Sequence, residues 1–330
     1  LSTILVTGGA GFIGSHIVDD LLALEYDVVV LDDLSGGFKE NVNEKAEFIE
    51  GSINDEQLIK KMFDDYNFDY VYHLAAYAAE GLSHFIKKFN YENNLIGSIN
   101  LINASINHDV KCFVFTSSIA VYGKNQLPMS EDMVPVPEDS YGVAKLAVEK
   151  ELKICKEMFG LNYIIFRPHN VYGERQNIGD KYRNVIGIFM NQIMLGKPLT
   201  IFGDGEQTRA FSYIRDVSPI MAKAVSIQEA YNQIFNIGAD EIYTVNLLAR
   251  QVCQAMGTDA ELEHLEERME VKHAYSSHKK VQKILDYRTE HSLQEGLKNM
   301  AEWAKNVGSR QSTKFDNIEV SKNIPKIWLK

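Results

Sequence analysis

Seven residues near the start of the chain, Gly8-Gly-Ala-Gly-Phe-Ile-Gly14, restrict the fold more than any other stretch. Ile4, Leu5 and Val6 read as a short buried strand running directly into them. Gly9, Gly11 and Gly14 fit G-x-G-x-x-G, while Gly8, Gly11 and Gly14 fit G-x-x-G-x-x-G. Glycine puts no Cβ between the turn and a ligand, and a helix starting at once points free N–H groups at a pyrophosphate. Any tight strand-to-helix turn produces a similar triplet, so the surroundings decide. Ile17, Val18, Leu21 and Leu22 repeat at helical spacing, and Tyr26-Asp-Val-Val-Val-Leu-Asp32 follows as a second buried strand. Asp32 lies eighteen residues beyond Gly14, close to where a carboxylate takes the ribose hydroxyls of an adenosine. Together these features predict dinucleotide binding. The loop Asp32-Asp33-Leu-Ser35-Gly-Gly37 holds no Arg, and Asp32 repels a 2′-phosphate, so NAD is expected rather than NADP.

Strands and helical stretches go on alternating. Ala46–Ile49, Tyr70–Ala76, Cys112–Ser118 and Tyr163–Arg167 read as strands; helices are expected from Asp55 to about Tyr66, near Tyr91–Ile106, and from Ser140 to about Phe159. This order predicts an α/β fold with a doubly wound parallel sheet of the Rossmann type. Small or polar residues end the strands (Gly8, Asp32, Ser52, Ala75, Ser117 and Ser118), as the wall of a cofactor cleft requires. Residues 1–167 are assigned to this domain, with a returning segment near 209–236. Residues 168–330 mainly form a smaller, interleaved C-terminal α/β substrate-binding domain. There, Thr200–Gly205 reads as a strand and turn, Phe211–Ile214 and Ile234–Ile237 as short strands, and Val245–Met256 and Leu293–Lys305 as helices. The last twenty residues are polar with isolated Phe315, Ile318, Ile324 and Trp328, and no role follows from them. A net charge of −11 argues against nucleic acid or anionic membrane as partner. Cys112, Cys155 and Cys253 fit no metal or disulfide spacing, and no apolar run reaches membrane-spanning length; a cytoplasmic protein without a metal is expected.

Tyr141-Gly-Val-Ala-Lys145 opens the long helix, with phenol and ammonium one turn apart on the same face. The pair makes sense where a phenolate must exist near neutrality: lowering a pKa from about 10 to ~7 takes roughly 4 kcal/mol. A nearby cation supplies much of that, and a positively charged nicotinamide supplies more. Tyr-x-x-x-Lys is common on solvated helices, so its context matters. Ser118, twenty-three residues upstream, ends a strand beside the expected nicotinamide and can share a proton with the oxygen on which Tyr141 acts.

The chain resembles the extended short-chain dehydrogenase/reductases that act on nucleotide sugars, to about Lys305. The residues that carry the likeness are Thr7–Gly14, His73-Leu-Ala-Ala76, Asn93-Asn94, Thr116–Gly123, Tyr141–Lys145, Arg167-Pro-His-Asn-Val-Tyr-Gly173 and Gly203–Arg209. It implies hydride abstraction from a sugar carbon by tightly held NAD, with Tyr141 as base and Ser118 and Lys145 assisting. Strand ends and resemblance together nominate Gly8, Gly11, Phe12, Ile13, Gly14, Asp32, Asp33, Ser35, Ser52, Ile53, Leu74, Ala75, Ala76, Asn93, Ser117, Tyr141, Lys145 and Pro168 for the cofactor. For the substrate they nominate Ser83, Ser118, Asn170, Val185, Arg209, Arg268 and Ala274, and the resemblance implies a homodimer through the helices containing Asn94–Ile106 and Tyr141–Phe159.

Within this family, sugar 4,6-dehydratases carry Thr-Asp-Glu where this chain has Ser118-Ile119-Ala120, so the acid–base pair for elimination is missing. The Cys and Lys of the GDP-sugar 3,5-epimerases, expected at Ala120 and near Asn184, are absent too. The strongest likeness is to UDP-hexose 4-epimerases, especially around Glu174–Tyr182. It implies oxidation at C4, rotation of the 4-keto sugar and return of hydride to the other face. Ala274 aligns with the residue walling the C2 substituent, and a small residue there admits an N-acetyl group; UDP-N-acetylhexosamines are therefore expected beside UDP-glucose and UDP-galactose. Several positions depart from the family pattern. Ser52 stands in place of an adenine-binding Asp, Glu80 is an unexpected charge, and His169 replaces a more usual aromatic. Glu267 occupies the place of a phosphate-binding Arg, with Arg268 or Lys272 as substitutes. Another nucleotide-sugar dehydratase, decarboxylase or reductase is the near alternative, and a non-catalytic NAD-binding sensor the remote one.

Overall fold

The computed structural model describes residues 2–124, 126–267, 271–311 and 315–329. Seven strands form one parallel sheet: β1 (Thr3–Thr7), β2 (Asp27–Asp32), β3 (Glu47–Glu50), β4 (Phe68–His73), β5 (Cys112–Thr116), β6 (Asn162–Pro168) and β7 (Gln233–Ile237). Their order is β7-β6-β5-β4-β1-β2-β3, so the chain leaves β1 in one direction, then returns to build outward from its other side. Alternation along each strand splits the core. Ile4, Val6, Val28, Val30, Val114, Ile164 and Phe166 join one cluster, while Leu5, Val29, Leu31, Val71, Phe113, Phe115 and Ile165 join the other. Each face is covered by helices: α1 (Phe12–Ala23) on the first, and α2 (Glu56–Asp65), α3 (Gly97–Asn107) and α4 (Ser140–Phe159) on the second. Burial stabilises by roughly 1.5–3 kcal/mol for each large apolar side chain, which is why both faces read as apolar runs.

Local chemistry explains the bounds of α4. Asp139 accepts a hydrogen bond from the Gly142 N–H at 2.7 Å, and Gly160 ends the helix at φ +81°. Other segments depart from the sequence reading. The fourth strand stops at His73, not Ala76: the Leu74 N–H makes the last rung to the Thr7 carbonyl at 3.1 Å, and the neighbouring β1 turns away at Gly8, φ +75°. Helical structure before α3 starts at Lys87 and passes through a π-helical turn at Glu92–Ile96. Phe211–Ile214 is no continuous strand: Thr208–Ala210 and Ser212–Tyr213 pair in separate small sheets, and Ile214 begins a helix. Two substantial helices went unread, α5 (Val185–Met194) and α6 (Ile214–Lys223). α6 packs on α1, where the Tyr72 hydroxyl donates to the carbonyls of Met221 and Ala222. No helix among the described residues is long and apolar enough to cross a membrane.

The tail that carried no sequence signal packs against the body. Ile324 and Trp328 join Ala79, Leu82 and Ile86 in a separate apolar cluster, with Phe315 and Ile318 at its margin. Glu319 caps the short helix Lys87–Tyr91, its carboxylate accepting from the N–H groups of Lys88 (2.7 Å) and Phe89 (2.9 Å).

Candidate functional site

A cavity of about 960 Å³ crosses the carboxyl ends of the central strands, where the sheet order reverses. On one side lies the glycine turn. Gly8 adopts φ +75°, and a Cβ there would stand 2.6 Å from the Ala75 nitrogen; a Cβ on Gly14 would meet the Gly8 oxygen at 2.0 Å. α1 begins after Gly11 with no side-chain cap and no acid in its first turn, so its leading N–H groups and its dipole are available to an anion. Asp32 is buried at the end of β2; its Oδ2 accepts from the Ala10 N–H at 3.0 Å and its Oδ1 from the Leu34 N–H at 2.8 Å. Burial raises its carboxyl pKa, and those two hydrogen bonds oppose the rise. Turn, uncapped helix start and carboxylate fit the pyrophosphate and ribose of a dinucleotide. Gly11, Phe12, Ile13, Asp33, Ser35, Ile53, Leu74, Ala75, Ala76, Asn93, Ser117 and Pro168 line the same cavity. Ser52 does not; its hydroxyl accepts from the Asn54 N–H at 3.2 Å.

Deeper in, Ser118, Tyr141 and Lys145 converge, all buried. Ser118 follows β5 and accepts the Ala120 N–H at 3.1 Å. Lys145 donates to the Thr116 carbonyl at 2.8 Å, with its Nζ 5.7 Å from the centre of the Tyr141 ring. Burial pushes the Tyr141 phenol well up, the Glu80 charge adds to this, and the nearby Ser118 hydroxyl opposes it. Burial likewise brings the Lys145 ammonium down to about 7, against the pull of Glu149. Burial and the Glu80 charge therefore disfavour the phenolate that the motif needs, and a cation beside the phenol favours it. One turn beyond Lys145, Glu149 is buried and takes hydrogen bonds from Ser117 (2.6 Å) and from Arg167 (2.9 and 2.5 Å), which ties β5, β6 and α4 together behind the site.

The opposite side is assembled from separated segments. Asn170, at φ +42°, donates to the Ala210 carbonyl at 3.0 Å. Arg209 donates to the carbonyls of Thr208, Lys272 and Val271 at 2.8, 3.0 and 2.6 Å, and lines the cavity. Val185 begins α5 behind Asn184, which sits at φ +65° without capping through its side chain; a second helix N-terminus thus borders the cavity. Val185 was nominated, but not as a helix N-terminus, and Arg183 and Phe202 are among the lining residues that sequence reasoning missed. The signal for that terminus was the apolar run after Asn184. Two nominated residues lie behind the lining. Ser83 accepts the Tyr141 N–H at 3.2 Å and donates to the Glu80 carbonyl at 2.6 Å, so it supports Tyr141 from below. Ala274 is buried in an apolar cluster with Ile119, Val121, Tyr122 and Met129, paired across a short ladder with Arg209. Arg268 falls outside the described residues.

Residues 4–238 match the profile of the NAD dependent epimerase/dehydratase family. Among solved structures, the chain is similar to a crystal structure of UDP-glucose 4-epimerase with UDP-glucose from Thermotoga maritima (37% identity, TM-score 0.88, covering 92% of this chain and 99% of that one). It is also similar to UDP-N-acetylglucosamine 4-epimerase from Methanobrevibacter ruminantium in complex with UDP-N-acetylmuramic acid (32%, TM-score 0.85, 92% and 97%). UDP-glucuronic acid 4-epimerase from Bacillus cereus, in complex with UDP-glucuronic acid and NAD, aligns at 31% identity and a TM-score of 0.85 over 92% and 99% of the two chains.

Proposed function

Because this chain belongs to the NAD-dependent epimerase/dehydratase family, we propose that it inverts C4 of a UDP-hexose. The observation that carries the reading is the buried convergence of Ser118, Tyr141 and Lys145 beside Ile119 and Ala120, apolar where an eliminating enzyme needs an acid and a base. NAD, when bound along the glycine turn, supplies the acceptor for a hydride from C4 and later its donor. Tyr141 takes the proton of the C4 hydroxyl, Ser118 hydrogen-bonds to the same oxygen, and Lys145, anchored on the Thr116 carbonyl, holds its charge near the phenolate. The 4-keto sugar then turns over in a pocket walled by the small residues Ala75, Ala76, Ala78 and Ala79. Tyr141 returns the proton, and no further acid or base is required.

On the substrate side, Arg209 and the start of α5 suit a diphosphate, and the Phe202 ring suits a stacked base. Residues 1–167 with the segment near 209–236 carry the cofactor in this scheme, and the remainder carries the sugar nucleotide. Exposed Val143, Ile154 and Met158 on α4, with Ile96 just before α3, give the helices a face suited to a homodimer. The substrate range includes UDP-glucose and UDP-galactose and extends to their N-acetylated forms; the small Ala274, paired with Arg209 behind the lining, pushes no bulk into the cavity. Glu80 works against a uronate, because a carboxylate on C5 would lie near its charge.

Glu80 also supports a second reading: it lines the cavity with its charge felt by Tyr141, where an additional acid or base of a dehydratase, decarboxylase or reductase would act. Incubation with UDP-glucose, UDP-galactose, their N-acetyl forms and UDP-glucuronic acid separates the two. Interconversion without net NADH is the expected result; release of water or CO₂ overturns it.

A further inference from the structure

His169 and His278 are buried and take no part in the chemistry above. Their rings meet edge to edge, centroids 5.0 Å apart and planes 14° from parallel, with 2.9 Å between their Nε2 atoms. At one end, His169 Nδ1 lies 3.3 Å from the Ala210 carbonyl oxygen. At the other, His278 Nδ1 lies 2.6 Å from Asp240 Oδ1. The contacts thus run from a carbonyl beside Arg209 to a carboxylate whose side chain is 64% exposed.

Counting protons shows what this arrangement holds. Each of the three contacts needs one proton, and the Ala210 oxygen can only accept. Two neutral imidazoles carry two N–H groups between them. The third proton gives the pair of rings one positive charge, matched by the Asp240 carboxylate. Burial, followed by the neighbouring His278, brings the His169 pKa down to about 3, so His169 is held as the neutral ring. Ser276, 3.1 Å from His278 Nε2, and Gln282, 3.5 Å from Asp240 Oδ2, complete the polar surroundings. A buried imidazolium with a carboxylate partner is a short, directional anchor.

What is anchored matters for the substrate side. The Ala210 carbonyl that accepts from His169 also accepts from Asn170 Nδ2, and it is next in sequence to Arg209. The Ser212 hydroxyl donates to the His169 carbonyl at 2.9 Å and accepts from the Ala239 N–H at 3.0 Å, binding the same segments from behind. Gly238 is required there, since a Cβ would stand 2.4 Å from His169 Nε2. We propose that Asp240, His278 and His169 form a clamp that positions Asn170 and Arg209 for the substrate diphosphate, setting nucleotide affinity without entering the reaction at the sugar. The clamp rests on the nucleotide-sugar reading above.

Calorimetric titration of the NAD-loaded protein with UDP, beside steady-state kinetics with UDP-glucose, tests it. Asp240→Asn keeps the shape and removes an exposed charge, and His169→Phe keeps a ring and removes both nitrogens. Each weakens UDP binding and raises KM about tenfold, with kcat within about twofold and NAD content unchanged; Asp240→Glu recovers most of the affinity. In histidine-labelled ¹⁵N spectra the His278 Nδ1 resonance, hydrogen-bonded to Asp240 in the unsubstituted protein, moves in Asp240→Asn and returns in Asp240→Glu. Unchanged UDP affinity in Asp240→Asn and His169→Phe, or a fall in kcat at constant KM, overturns the clamp alone. If His169→Phe does not fold, the two Asp240 variants decide. An unsubstituted protein that binds no UDP overturns the nucleotide-sugar reading, and the clamp with it.

Discussion

The two sides of the cavity hold their ligand-facing groups by different means. On the glycine-turn side, Gly8, Asp32 and Ala75 sit at or just past the ends of strands in one sheet, so the sheet backbone fixes both the N–H groups of the turn and the Asp32 carboxylate. On the substrate side, Asn170, Asn184 and Arg209 come from separate segments held by side-chain hydrogen bonds and strands of two or three residues. A backbone-built wall tolerates almost any side chain that points away, but no atom added toward the ligand. A wall assembled from side chains can lose affinity step by step while its shape survives. Substitutions on the two sides are therefore expected to fail differently.

The largest effect is expected at the reaction centre between them. Tyr141→Phe removes turnover by about 10³-fold or more while NAD content, read from the denatured supernatant, stays the same; turnover within tenfold of the parent refutes the assigned base. Next comes the cofactor side. Gly8→Ala forces a Cβ to 2.6 Å from the Ala75 nitrogen at φ +75°, whereas Gly160→Ala at φ +81° meets nothing within 4 Å. Both carry backbone strain on the order of 1–3 kcal/mol, but Gly8→Ala alone loses bound NAD; equal NAD content in the two variants breaks the contrast. On the substrate side, Ala274→Tyr puts a large ring behind the lining, beside Arg209, and pushes that wall inward; turnover of UDP-N-acetylglucosamine falls about tenfold relative to UDP-glucose, and equal losses on both substrates sink the assignment. The remaining effect is on stability and leaves ligand selectivity aside. The Lys145 pKa, ordinarily 10.5, falls to about 7 through burial, so the unfolded chain binds the extra proton between those values and stability rises with pH across that window. Denaturant titrations should show this rise in the parent and its absence in Lys145→Met.

The same contrast decided what could be read from the sequence. β1, β2, β5 and β6 announce themselves because residues close together in the chain make the strand, the turn and the following helix. α4 was legible end to end, since Asp139 starts it and Gly160 stops it. α5 was not: Val185–Met194 is apolar on nearly every side, so no helical period stands out, and Asn184 starts it without a side-chain cap. α6 follows directly on Ser212–Tyr213 and contains Pro219, which together read as strand and loop. The positions of Ser83 and Ala274 depend on partners far away in sequence, Tyr141 and Arg209, and no local pattern encodes such pairings.

Translation gives the tail a further consequence. Lys88 and the carboxylate that caps it are 231 positions apart, so the helix from Lys87 to Tyr91 leaves the ribosome long before Glu319 is made. Until residues 315–328 emerge, Leu82 and Ile86 lack their apolar cover and Tyr182 lacks the Trp328 ring 5.5 Å away. Domains generally fold as they are synthesised, N-terminal parts first. A nascent chain can thus complete its parallel sheet while one flank of the cavity is still unfinished, and that flank closes only once Trp328 is free to pack.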